Sequence, residues 1–216
     1  IGVVTAYNDM LSAHQPFDTL SSTSVGDAVV TATLGGNALT DDATVTFTVG
    51  AAALGTSTIT ASATAITTDQ SSTITVQLKD AGGNNLTASG GLVTLATTRG
   101  VLTGVTNNNN GTYTATLTST SIGGATITGT LNGNPLVDTD SVTISVGAPA
   151  QLAFTTQPSA SSVAGVPFAQ QPVVTIRDTA GNTVTTSSAS VSLALTSGTG
   201  TLSGTTSVNA VNGVAT

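Results

Sequence analysis

Alternation with period two runs through most of the chain. Val45-Thr46-Phe47-Thr48-Val49, Ile74-Thr75-Val76-Gln77-Leu78, Val142-Thr143-Ile144-Ser145-Val146 and Val191-Ser192-Leu193-Ala194-Leu195 each send large apolar side chains to one face. The other face carries hydroxyl, amide or small side chains. This is the pattern of a half-buried antiparallel strand, and the stiff branched side chains of Val, Ile and Thr favour it. Between the runs lie turn clusters: Gly82-Gly83-Asn84-Asn85, Asn132-Gly133-Asn134-Pro135 and Ala180-Gly181-Asn182. Their spacing is that of a β-sandwich. No stretch of a dozen residues keeps a 3.6-residue period, and Asn8 to Ala13 is too short to count. The expected fold class is all-β.

Composition narrows the function more than the fold. Of 216 residues only 3 are Lys or Arg and 10 are Asp or Glu, every acid being Asp; one is His and none is Cys. Charged residues make up 6% of the chain, against about 25% in an ordinary globular protein. Without cysteine there is no disulfide scaffold, thiolate metal site or thiol nucleophile. A net charge of −7 with so few cations cannot neutralise a phosphate backbone, which argues against nucleic acid as a partner. No window reaches the roughly 20 apolar residues of a membrane helix, so membrane insertion is not expected. Hydrophobic residues at 38% and a mean hydropathy of +0.31 argue against disorder. Ile1-Gly2-Val3-Val4-Thr5 has neither an initiating Met nor a basic leader, which suggests a start within a longer product.

The chain also repeats itself. Residues 17–50 lie on 114–147 at a shift of 97 without a gap: Leu20 to Gly26 matches Leu117 to Gly123, Thr33 to Leu39 matches Thr130 to Leu136, and Val45 to Gly50 matches Val142 to Gly147. Val76-Gln77-Leu78-Lys79-Asp80-Ala81-Gly82-Gly83-Asn84 lies on Val174-Thr175-Ile176-Arg177-Asp178-Thr179-Ala180-Gly181-Asn182 at a shift of 98. The expected organisation is therefore one full module over 51–147. Residues 1–50 carry the closing strands of another, after an unassigned start, and 148–216 carry a module without its last strands. Gly50 and Gly147 mark the boundaries.

Candidate chemistry is sparse. A hydrolytic triad needs a base, and the one histidine, His14, sits in a stretch outside the repeat, so no enzyme activity is expected. Asp80 and Asp178 occupy the same hairpin position, each followed by a Gly-Asn pair; an Asp there is expected to bond backbone N–H groups in a tight turn. Asp41 and Asp42, with Asp138 and Asp140 in the equivalent loop, are the candidate oxygen ligands for Ca²⁺ at a module junction. Against calcium, the loop has no Glu and two carboxylates per copy, and no other cofactor is expected. Asn85-Leu86-Thr87 and Asn110-Gly111-Thr112 fit the N-glycosylation pattern. With Tyr7 and Tyr113 the only Tyr residues and no Trp, a carbohydrate-binding surface lacks its aromatic platform. Lys79 as the sole lysine argues against Lys–Asn cross-links.

The middle module resembles the bacterial Ig-like repeats of the invasin and intimin type. The likeness rests on Ser57-Thr58-Ile59-Thr60-Ala61, on Ser72 to Asn84, and on Asn110-Gly111-Thr112-Tyr113-Thr114-Ala115-Thr116-Leu117. Ala150-Gln151-Leu152-Ala153-Phe154 through Ile176-Arg177-Asp178 resembles related repeats of large surface proteins. The resemblance implies seven-stranded sandwiches strung along extracellular adhesins, fibres or surface layers.

Soluble sandwiches guard their edge strands with Lys, Pro or inward charge, and three cations leave little for that task. An unfinished module with bare edges is expected to accept strands from outside. Residues 1–50 of one copy would complete 148–216 of the next, and a heterologous, non-closing contact of that kind builds a fibre. Alternatively the chain is a stretch of stalk whose partners are the adjacent modules of a longer adhesin or surface-layer protein.

Overall fold

The computed structural model describes residues 21–38 and 40–216; residues 1–20, His14 among them, and Leu39 lie outside the described residues. Regular structure among the described residues is entirely β. The N-terminal region contributes β1 (Gly26–Val30), β2 (Thr33–Leu34), β3 (Asn37–Ala38) and β4 (Ala43–Phe47). The middle region holds β5 (Thr58–Ala61), β6 (Ala65–Thr67), β7 (Ser71–Gln77), β8 (Val93–Thr97), β9 (Val101–Leu102), β10 (Thr106–Asn107), β11 (Thr112–Thr118), β12 (Gly123–Leu131), β13 (Asn134–Pro135) and β14 (Asp140–Ser145). The last region has β15 (Gln151–Thr156), β16 (Val173–Arg177), β17 (Ser190–Ser192), β18 (Ser207–Asn209) and β19 (Val214–Ala215).

Ten strands thus stand in the middle region where the resemblance implies seven. Three of them, β9, β10 and β13, are two-residue contacts with β11 or β12. They form two sheets, one ordered β10-β11-β7-β5 and the other β13-β12-β14-β6, with β9 and β8 as side branches. Alternation decides what each strand buries. Along β7 the inward residues Ser72, Ile74 and Val76 are buried while Ser71 and Thr73 are exposed. Facing residues from the other sheet, Ala125, Ile127, Val142 and Ile144, close the core. Each such aliphatic side chain contributes about 1.5–3 kcal/mol through loss of contact with water. Asn132 and Gly133 take φ of 51° and 83° in the two-residue turn between β12 and β13; Asn-Gly suits that mirror-image turn because both positions need positive φ.

β5 lies at the free edge of its sheet, and its outward amides are not bare. Ile59 N donates to Asp138 Oδ2 at 2.8 Å and Ala61 N to Asp140 Oδ2 at 2.6 Å. At this edge the expectation of undefended strands does not hold: the guard is supplied by acceptor carboxylates instead of cations. A strand whose outward N–H groups are engaged offers a stray neighbour a poorer template.

The two flanking regions repeat parts of this sandwich. Gly26 pairs with Phe47 in β1–β4 as Gly123 pairs with Ile144 in β12–β14. In the last region β15 and β16 repeat the β5–β7 pairing, with Phe154 opposite Val174 where Ile59 is opposite Val76. Among the described residues no strand forms between β15 and β16. Its counterpart β6 is held by parallel pairing with β14, and residues 148–216 contain no equivalent of β14.

Candidate functional site: the junctions between modules

The hairpin after β7 forms because Asp80 folds the chain around its own carboxylate. Oδ1 accepts from Gly82 N at 3.0 Å and Asn84 N at 2.9 Å, and Asp80 N donates to Asn84 O at 2.9 Å. The other carboxylate oxygen reaches back out of the module: Gly50 N donates to Oδ2 at 2.9 Å. Asn84 completes the link, donating from Nδ2 to both Asp80 oxygens and, at 2.7 Å, to the carbonyl of Thr23 in the preceding region. Two residues of one hairpin therefore grip the boundary glycine and a loop of the region before it.

The second junction repeats this chemistry. Asn182 N donates to Asp178 Oδ1 at 2.8 Å, Gly147 N to Oδ2 at 3.1 Å, and Asn182 Nδ2 to Thr120 O at 2.9 Å. Here the previous module adds a hydroxyl: Thr68 Oγ1 donates to Asp178 Oδ2 at 2.7 Å and accepts from Gly147 N at 3.1 Å. The glycines are required by close approach. A Cβ on Gly147 would lie 2.9 Å from Thr68 Oγ1, and one on Gly82 would lie 2.4 Å from Thr23 O. At the second junction Ala180 occupies the position of Gly82, so the two contacts are alike in chemistry and different in fine spacing.

Both carboxylates are held below the usual aspartate range. For Asp80 the largest cause is the Gly50 amide, followed by the Asn84 side chain and amide. For Asp178 burial raises the pKa, and the donors Asn182, Thr68 and Gly147 together outweigh it. Such donors favour the charged form because each N–H or O–H points at negative charge.

The remaining candidates fall elsewhere. Asp138 and Asp140 face the amides of β5, and Asp41 and Asp42 are exposed. Among the described residues no three His, Cys, Asp or Glu side chains converge. Asn85 is exposed, and so is Asn110, whose Oδ1 accepts from Thr112 N and Thr112 Oγ1. Sequence reasoning passed over Tyr113 as a structural residue. Its buried hydroxyl donates to Gly91 O at 2.7 Å and accepts from Gly90 N at 3.1 Å, tying β11 to the loop before β8. A lone Tyr at an inward position of a strand (its neighbours being Thr and Ala) was the available signal.

A two-sheet sandwich joined in series to the region before it by its own hairpin, and to the region after it by that region's hairpin, has the architecture of a tandem Ig-like module. Residues 53–147, a little under half of the chain, match the family described as Invasin, domain 3. Among solved structures the chain is similar to invasin, described as a bacterial integrin-binding protein, at 26% identity over 88% of this chain and 40% of that one, with a TM-score of 0.49. It is also similar to the Escherichia coli adhesin FdeC, at 24% identity over 89% of this chain and 64% of that one, TM-score 0.50. Domains 4 and 5 of the S-layer protein SbsC align at 26% identity over 57% of this chain and 66% of that one, TM-score 0.35. The chain thus spans less than two thirds of the length of the invasin and FdeC structures. No curated protein matches the sequence.

Proposed function

We propose that this chain is a non-catalytic structural protein of the bacterial cell surface, of the adhesin and surface-layer type, whose modules are set end to end to span distance. The observation that carries this reading is the clamp found twice, Asp80–Asn84 on Gly50 and Thr23, and Asp178–Asn182 on Gly147 and Thr120. A junction that is bonded on both sides of the boundary glycine limits the swing between modules, and that is what a spacer requires. Small-angle scattering of the purified chain is expected to give an elongated particle whose maximum dimension shrinks or broadens in the Asp80→Ala, Asp178→Ala double variant. An unchanged, well-defined profile in that variant would count against the reading.

A second reading concerns how the structure is extended. Val30, 44% exposed, stands where the middle module has Ile127 at 0%, and Leu152 and Phe154 of the last region are exposed as well. These apolar faces belong to opposite halves of one sandwich, so residues 1–50 of one copy are suited to complete residues 148–216 of the next. Copies of the chain are then partners in a head-to-tail fibre. Deleting residues 1–50 should leave unpolymerised or aggregated chains in negative-stain micrographs, while the full chain gives filaments; filaments of the same width from both would refute it. If neither polymerises, the same faces are met by the adjacent modules of a longer stalk.

A further inference from the structure

The middle module shows what the last region needs along its edge. In the middle module the free amide of Ile59, opposite Val76, is taken by Asp138. In the last region Phe154 lies opposite Val174 in the same way. Ile176 N donates to Gly213 O, as Leu78 N donates to Gly111 O. Alternate residues of β16, Val174 and Ile176, therefore bond toward β19, and the N–H of Phe154 points away from β16 to the open edge. Asp178 is the only acid in residues 148–216, and its carboxylate is engaged at the junction. The last region has no free carboxylate of its own with which to cover that amide.

Residues 21–50 carry the missing acceptor. Val30 pairs with Ala43 as Ile127 pairs with Asp140. Asp41 precedes Ala43 by two positions, as Asp138 precedes Asp140, and it is exposed. We propose that Asp41 of one copy accepts the hydrogen bond of Phe154 N in the next copy, and that this contact fixes the register of the joint. This rests on the head-to-tail reading above. The partner is a second copy of this chain, because the β1–β4 pair has the register and the apolar face that the middle module uses to close the same sheet. Only one staple forms at the joint, since Ala43 stands where Asp140 supplies the other. Register matters because a slip of one residue would turn the apolar set of β1 and β4 to solvent. Asp42, one position along, aligns with Thr139, which holds no β5 amide in the middle module.

The test separates the staple from the association. Two full chains are joined in tandem, Thr216 of the first to Ile1 of the second, and exchange of the Phe154 amide of the first copy is followed by NMR. The amide should exchange more slowly in the tandem than in the single chain. Asp41→Ala in the second copy should speed it about tenfold or more, as loss of a bond to a charged acceptor implies, and Asp42→Ala should leave it unchanged. Equal exchange in the Asp41→Ala and unaltered tandems, or no protection in the tandem at all, would overturn the staple. Sedimentation of unlinked chains tests association by itself: a chain that stays monomeric while its tandem shows Asp41-dependent protection refutes the fibre and leaves the contact standing within longer arrays.

Discussion

Ile59 and Phe154 occupy the same place on equivalent strands, each opposite the same valine of its partner, yet Ile59 is 3% exposed and Phe154 is 47%. The difference lies outside both strands. Ile59 is covered by a second sheet that includes β12 and β14, and the last region has a counterpart of neither. A strand's sequence settles which face it would bury; whether that face is buried depends on a sheet contributed from about 70 residues further along. Even the pairing of the remaining strands changes. Val93 in β8 lies against Leu131 of β12, whereas its counterpart Val191 in β17 lies against Val208 of β18.

The comparison can be broken most directly by truncating both residues. Ile59→Ala should cost about 2–5 kcal/mol in urea unfolding, the usual range for a fully packed aliphatic side chain. Phe154→Ala in the unassembled chain should cost well under that, and equal losses would mean that the last region is sealed after all. Next in size, Tyr113→Phe should cost about 0.5–1.5 kcal/mol, since it removes the hydrogen bonds to the half-buried Gly90 amide and Gly91 carbonyl. No matching loss is available in the last region, where Ala215 takes the place of Tyr113 opposite Val174.

A smaller effect concerns the junctions. Both clamp carboxylates have pKa values lowered from 3.8. A lowered folded value contributes stability that is complete above the unfolded value and is lost as the pH falls through the folded one. The junctions should therefore loosen below roughly pH 4 and be indifferent to pH at neutrality. Residual dipolar couplings between modules should record this, and the Asp80→Asn, Asp178→Asn double variant should lose the dependence. The smallest effect is expected from calcium. With Asp138 and Asp140 already bonded to amides, chelation should shift Tm by less than the roughly 4–8 °C that 1 kcal/mol represents in a module of this size.

Much of the fold was legible because alternation is a local signal. The β7 run and the Asn132-Gly133 turn can be read from a few neighbouring residues, and the shift of 97 reproduces the shared register of β1–β4 and β12–β14. The candidate site was legible only in pieces. Asp80 is readable as a turn residue and Gly50 as a boundary, but the bond between them spans 30 positions and depends on how two folded regions meet. Asp138 and Asp140 are acids two apart in a loop, a spacing that suits a cation as well as it suits alternate amides of an edge strand. That these carboxylates meet the amides of β5, 79 residues earlier, cannot be read from their spacing.

Because the hairpin of each following module meets the same boundary glycine and the same threonine carbonyl, the junctions are interchangeable in kind. Recombination could insert or remove a unit of about 97 residues without requiring a new interface to evolve. Reach would then be inherited as a number of copies, adjustable in whole steps, while every joint along the array kept its fit.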